Sequence, residues 1–107
     1  MFKFVVMFKK PSQPEDFENT YNDFLALVER MPHITQRQVL HIMGSPQGDA
    51  VYYRGLELYF ASDEDMKAAL MSVEGQEAGN ELARFEDGRF EVYFSAVYEE
   101  EGGSTPQ

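Results

Sequence analysis

The sequence predicts an α+β fold: a four-stranded antiparallel sheet with its helices on one face, in the order βαβ–βααβ. Phe2–Lys9, Tyr52–Ala61 and Arg89–Tyr98 alternate with the period of two that marks strands. Residues 14–31 and the stretch after Ser62 carry apolar side chains at helical spacing. The strand–helix–strand plan then occurs twice along the chain.

Each element has its own signal. In Phe2–Lys9 the side chains of Phe2, Phe4, Val6 and Phe8 share one apolar face, which should meet helices. Lys3, Val5, Met7 and Lys9 share the other. Pro11 and Pro14 bracket a turn, and Pro14 suits the first helical position. Over residues 14–31, Phe17, Tyr21, Phe24, Leu25 and Val28 form a stripe. Glu15, Asp16 and Glu18 sit near the positive end of the helix dipole, Arg30 sits near the negative end, and Pro32 ends the helix. His33 reads as a turn residue. Ile34–Met43 mixes polar and apolar positions, which predicts an edge strand and leaves open which set turns inward. Residues 44–50, GSPQGDA, are loop chemistry.

The second half opens on Tyr52–Ala61. Tyr52, Arg54, Leu56, Leu58 and Phe60 share one face, and Tyr53, Gly55, Glu57, Tyr59 and Ala61 the other. Ser62 is an N-cap with Asp65 three residues on, an approximate capping box. Met66, Ala69, Leu70 and Val73 follow at helical spacing, and Gly75 is expected to break the helix. Residues 76–85 form a second short helix with Ala78, Leu82 and Phe85 inward. In Arg89–Tyr98, Phe90, Val92, Phe94, Ala96 and Tyr98 match the helix-facing sets. The result is a split-βαβ, ferredoxin-like domain over residues 1–98, followed by a disordered acidic tail, 99–107.

Composition narrows the function classes. A chain of 107 residues is one domain, able to bury roughly 65% of its unfolded surface. Its 43% hydrophobic content supports a core. No apolar run is long enough to span a bilayer. Met1–Lys10 lacks the order of basic and apolar residues of a signal peptide and reads as a mature N-terminus. The absence of cysteine removes disulfides, thiolate nucleophiles and Cys-based metal sites, and fits a cytoplasmic protein. A net charge of -10 argues against nucleic acid and anionic membrane as partners.

The helices cover one sheet face only. Val5, Met7, Tyr53, Tyr59, Tyr93 and Val97 are expected on the other, a larger apolar patch than soluble monomers usually expose. A second copy stacked face to face about a two-fold axis would cover it, so the chain is expected to be a homodimer.

Most of residues 2–98 resemble the EthD family of the dimeric α/β-barrel superfamily. The resemblance lies in the aromatic strand Glu57-Leu58-Tyr59-Phe60, the acidic helix start Ser62-Asp63, the segment Ser72-Val73-Glu74-Gly75-Gln76, and Glu81 with Phe85. It implies a dimeric α/β barrel. Relatives in that superfamily include muconolactone isomerases, antibiotic-biosynthesis monooxygenases, chlorite dismutases and polyketide cyclases, so the fold names no reaction. Two positions depart from the family. Many members carry a His-x-Pro motif late in the first helix, where this chain has Phe24 followed by Leu25 and Ala26. Val73 stands where a proline is frequent.

The candidate chemistry is sparse. Glu57, mid-strand on the expected barrel face, suits a carboxylate acid or base with a raised pKa. The alternative is a structural ion pair with Lys3, Lys9 or a residue of the second subunit. His41 suits a proton shuttle if it reaches the same cavity, and otherwise faces solvent. Tyr53, Tyr59 and Tyr93 suit the walls of an aromatic ligand site, with dimer packing as the alternative. Phe24 would line the pocket in place of the family histidine. No spacing suggests a metal or a phosphate loop, and no cofactor is expected. The function that follows is binding or transforming a small apolar or aromatic metabolite, near Glu57, Tyr59 and His41, by cofactor-free isomerase, cyclase or oxygenase-like chemistry if catalytic. The alternative is a non-enzymatic dimeric structural or accessory module of a degradative pathway, whose inner space would fall below roughly 300 Å³.

Overall fold

The structure is a computed structural model that describes residues 1–102. Its strands are β1 (Phe2–Lys9), β2 (Gln36–His41), β3 (Tyr52–Phe60) and β4 (Phe90–Ala96). Its helices are α1 (Pro14–Val28), α2 (Asp63–Met71) and α3 (Val73–Glu81), the last running into a 3-10 turn at Leu82–Arg84. The four strands form one sheet in the order β2-β3-β1-β4, with every neighbouring pair antiparallel. This is the α+β, ferredoxin-like arrangement expected. Residues 99–102 are exposed without regular structure, and 103–107 of the expected tail lie outside the described residues.

Three helices and one sheet face make the core. Val6 and Phe8 of β1 and Leu56, Leu58 and Phe60 of β3 are almost fully buried. They meet Phe17, Tyr21, Phe24 and Val28 of α1, Met66 and Ala69 of α2, and Ala78 of α3. Burying each large apolar side chain contributes about 1.5–3 kcal/mol. Phe8 is the hub: its ring lies 4.8 Å from Phe85, 5.3 Å from Phe17 and 5.6 Å from Tyr21, centroid to centroid.

Helix boundaries differ from the sequence expectation for local reasons. Helix α1 ends at Val28, short of Pro32, and His33 takes a left-handed φ of 69° in the turn that follows. Ser62 caps α2 as expected, its hydroxyl accepting from Asp65 N–H at 3.0 Å. Gly75 does not break the helix. Ser72 does, ending α2 and capping α3 by accepting from Gly75 N–H at 3.0 Å. Gly75 lies inside α3 because a Cβ there would stand 2.1 Å from the Ala69 carbonyl oxygen. Val73 is the first residue of α3, where proline is also at home, and it is 70% exposed rather than inward-facing.

The edges also depart from simple alternation. All six residues of β2 are exposed, as an edge strand allows. Directly opposed antiparallel residues share a face, and Arg37, Val39 and His41 oppose Leu58, Leu56 and Arg54. They therefore stand on the helix side, while Gln36, Gln38 and Leu40 stand on the open side. On β4, Val92 and Phe94 point to the helix side but stay exposed, Phe94 to 70%.

Candidate functional site

A bulge decides what gathers at one end of the sheet. Phe8 opposes Arg54 and Lys9 opposes Tyr52, so β3 carries one residue more than β1. Alternation is reset there. Tyr52 turns to the open face, where its hydroxyl donates to Glu91 at 2.5 Å. That bond pushes the Tyr52 hydroxyl up to about 12. Tyr53, expected on the open face, turns instead toward α1, where its hydroxyl donates to Glu18 Oε2 at 2.9 Å.

Arg54 is the centre of the resulting cluster and is 5% exposed. Its Nη1 donates to Glu18 Oε1 at 2.6 Å and its Nη2 to Glu18 Oε2 at 3.0 Å. The guanidinium carbon lies 4.7 Å over the Tyr21 ring, 5.1 Å over Tyr53 and 5.4 Å over Phe17. Burial opposes the charge on Arg54, but the Glu18 hydrogen bonds and charge outweigh it and raise its pKa. The Arg54 bonds in turn lower Glu18. His41 completes the group, with Nδ1 3.4 Å from Arg54 Nη2. A guanidinium only donates, so any hydrogen bond here has Nδ1 as its acceptor. Among the described residues, two buried polar atoms of this cluster find no hydrogen-bond partner: Tyr21 Oη and Arg54 Nε. Burial raises the pKa of Tyr21.

Glu57 and Tyr59 lie on the opposite, open face. Lys3 Nζ stands 3.2 Å from Glu57 Oε1, and the Tyr59 hydroxyl donates to the same oxygen at 2.9 Å. That bond raises the Tyr59 hydroxyl. Gln38 Oε1 lies 3.0 Å from the same hydroxyl. Tyr93 is on this face too, opposite Val5 and 48% exposed. The structure therefore does not bring Glu57 and Tyr59 together with His41: the sheet separates them. Among the described residues, three cavities of about 310–370 Å³ are lined by neither Glu57 nor His41.

Two spaces bear on the site. Between helices and sheet is a void of about 50 Å³, lined by Phe24, Val28, Leu58, Ala78 and Leu82 among others. Phe24 is buried in the core, its ring 6.4 Å from Phe8 and 6.1 Å from Phe85. The second space is a half-open cleft of about 370 Å³ between the start of α1 and residues 84–89. Phe8, Phe17 and Phe85 line it, and Ser12, Asp16, Thr20, Arg84, Glu86 and Arg89 supply polar groups. Glu86 ties the two walls, accepting from the Ser12 hydroxyl at 2.8 Å and Ser12 N–H at 3.1 Å. These bonds lower its pKa. Sequence reading missed this cleft because no local spacing joins residues 11–20 to residues 84–89. For the buried cluster, Arg54 itself was the signal, a cation interrupting an apolar strand face.

Among the described residues, no three His, Asp or Glu side chains are placed to hold a metal ion. No helix among them is long and apolar enough to cross a membrane.

No family model and no curated protein matches the chain. Solved structures do. An EthD family protein from Bacillus halodurans is 23% identical with a TM-score of 0.87, covering 92% of this chain and 99% of its own. A dimeric ferredoxin-like protein of unknown function from Jannaschia sp. is 16% identical with a TM-score of 0.69, covering 91% of this chain and 100% of its own. A hydroxynitrile lyase from Passiflora edulis is 16% identical with a TM-score of 0.73, covering 92% of this chain and 94% of its own. At these identities the likeness establishes the class of fold, the ferredoxin-like α+β domain.

Proposed function

We propose that this chain is an EthD-like protein that forms a homodimeric α/β barrel and binds a small apolar or aromatic metabolite in the cleft beside Phe17. The observation that carries this reading is the cleft itself: about 370 Å³, with three phenylalanine rings and a polar rim. That is the size and character of small-molecule sites. The resemblance over most of residues 2–98 and the overall fold of the Bacillus halodurans protein support the family assignment. The exposed sheet face and the dimeric Jannaschia neighbour support the homodimer. If the protein is catalytic, the chemistry that fits is cofactor-free proton transfer or oxygenation. His41, on the helix side beside Arg54, and Glu57, on the open face, do not line this cleft, whose own carboxylates are Asp16 and Glu86. The cysteine-free composition supports a cytoplasmic setting.

The test is equilibrium binding of indole to the purified protein and to Thr20→Trp, which fills the cleft. Binding by the first and not by the second supports the cleft. Equal binding by both, or by neither, contradicts it.

A second reading has its own observation. The space between sheet and helices is only about 50 Å³, filled in part by Phe24, as a non-enzymatic dimeric or accessory module would have. That void is too small for a metabolite. Failure of every aromatic probe to bind would favour this reading.

A further inference from the structure

We infer that Phe17 is a partition between the cleft and a buried polar subsite, and that the cleft's ligand carries a hydrogen-bond acceptor for that subsite. This rests on the cleft reading above and names the chemical class it would take. The ring of Phe17 lines the cleft. The same ring touches the Arg54 cluster, 5.4 Å from the guanidinium carbon, 5.7 Å from the Tyr21 ring and 5.3 Å from the Tyr53 ring. In that cluster are the two unpartnered buried polar atoms, Tyr21 Oη and Arg54 Nε.

A buried donor without an acceptor is costly, and such groups are normally paired. Two of them in one cluster, one on a cation, define a place where an acceptor oxygen is favoured. Glu18 takes one N–H from each terminal nitrogen of Arg54, and Nε and the tyrosine hydroxyl are the unpartnered groups that remain for an acceptor. Neither Tyr21 nor Arg54 lines the cleft, so a ligand in it reaches them when the Phe17 ring changes rotamer. The ligand class is an aromatic or apolar body bearing a carbonyl, phenolate or carboxylate oxygen. The oxygen points inward and the body rests on Phe8 and Phe85.

The test compares acetophenone with α-methylstyrene, in which a methylene replaces the carbonyl oxygen. The intact protein should bind the ketone at least about tenfold more tightly, as a hydrogen bond to a charged donor implies. Tyr21→Phe removes one unpartnered hydroxyl without emptying the core, and should cut that ratio severalfold while leaving α-methylstyrene binding unchanged. Equal binding of the two probes to the intact protein overturns the subsite and leaves the cleft standing. Binding of neither overturns the cleft as well. A tenfold ratio that survives Tyr21→Phe also overturns the assignment, because the discrimination then arises elsewhere.

Discussion

Arg54 sits where a strand face meets α1, and its neighbours are what permit a cation there. A buried charge left alone would be prohibitively costly. Glu18 answers it with two hydrogen bonds, and three aromatic rings surround the guanidinium. The pair makes stability pH-dependent in one direction. The folded pKa of Glu18 lies below its ordinary 4.5. Its contribution is therefore complete above that ordinary value and is lost as the pH falls through the lowered folded pKa. Urea midpoints of the intact protein and Glu18→Gln should differ at neutral pH and converge in acid. A gap that is constant with pH would contradict the pair's role. Glu57 differs in kind: Lys3 and Tyr59 engage it on an open face, so nothing local requires it to be an acid or base.

At the scale of elements, the tightest constraint is the break between α2 and α3. Ser72 ends one helix and caps the next, and Gly75 lets the first turn of α3 lie against the Ala69 carbonyl. Gly75→Ala should destabilise the protein by about 3 kcal/mol, since backbone must move. Ser72→Ala should cost about 1 kcal/mol, the usual worth of a cap. Chemical denaturation of both checks the order: a Gly75→Ala protein as stable as the parent would show that α3 can shift freely. Strand periods, the Ser62 cap and the edge character of β2 were legible in the sequence because each rests on neighbours within a few residues. The bulge was not. Its consequence, turning Tyr53 toward α1 and Tyr52 to the open face, depends on pairing with β1, which no local pattern in Tyr52–Ala61 encodes. Gly75 was misread for a related reason: glycine as a breaker and glycine as a close-approach residue look alike without the packed partner.

At the scale of the whole molecule, one sheet face is packed and the other is open. Lys3, Val5, Met7, Leu40, Glu57, Tyr59 and Tyr93 share the open side. On the proposed homodimer, sedimentation at micromolar concentration should give twice the 12.3 kDa chain, and Tyr93→Asp should shift it toward the monomer. A monomer for the intact protein would contradict the stacked-sheet assembly. The dimer and the cleft are separable claims. The cleft is built within one chain from the start of α1 and residues 84–89, away from the open face.

Nitrogen–proton NMR mapping of indole binding decides whether a ligand sits in that cleft. Indole should shift the amides of Ser12, Asp16, Phe17, Thr20, Phe85 and Arg89 most, and the shifts should be lost in Thr20→Trp. Shifts centred instead on Glu57, Tyr59 and Tyr93 would rule out the cleft and return the site to the open face of the sheet.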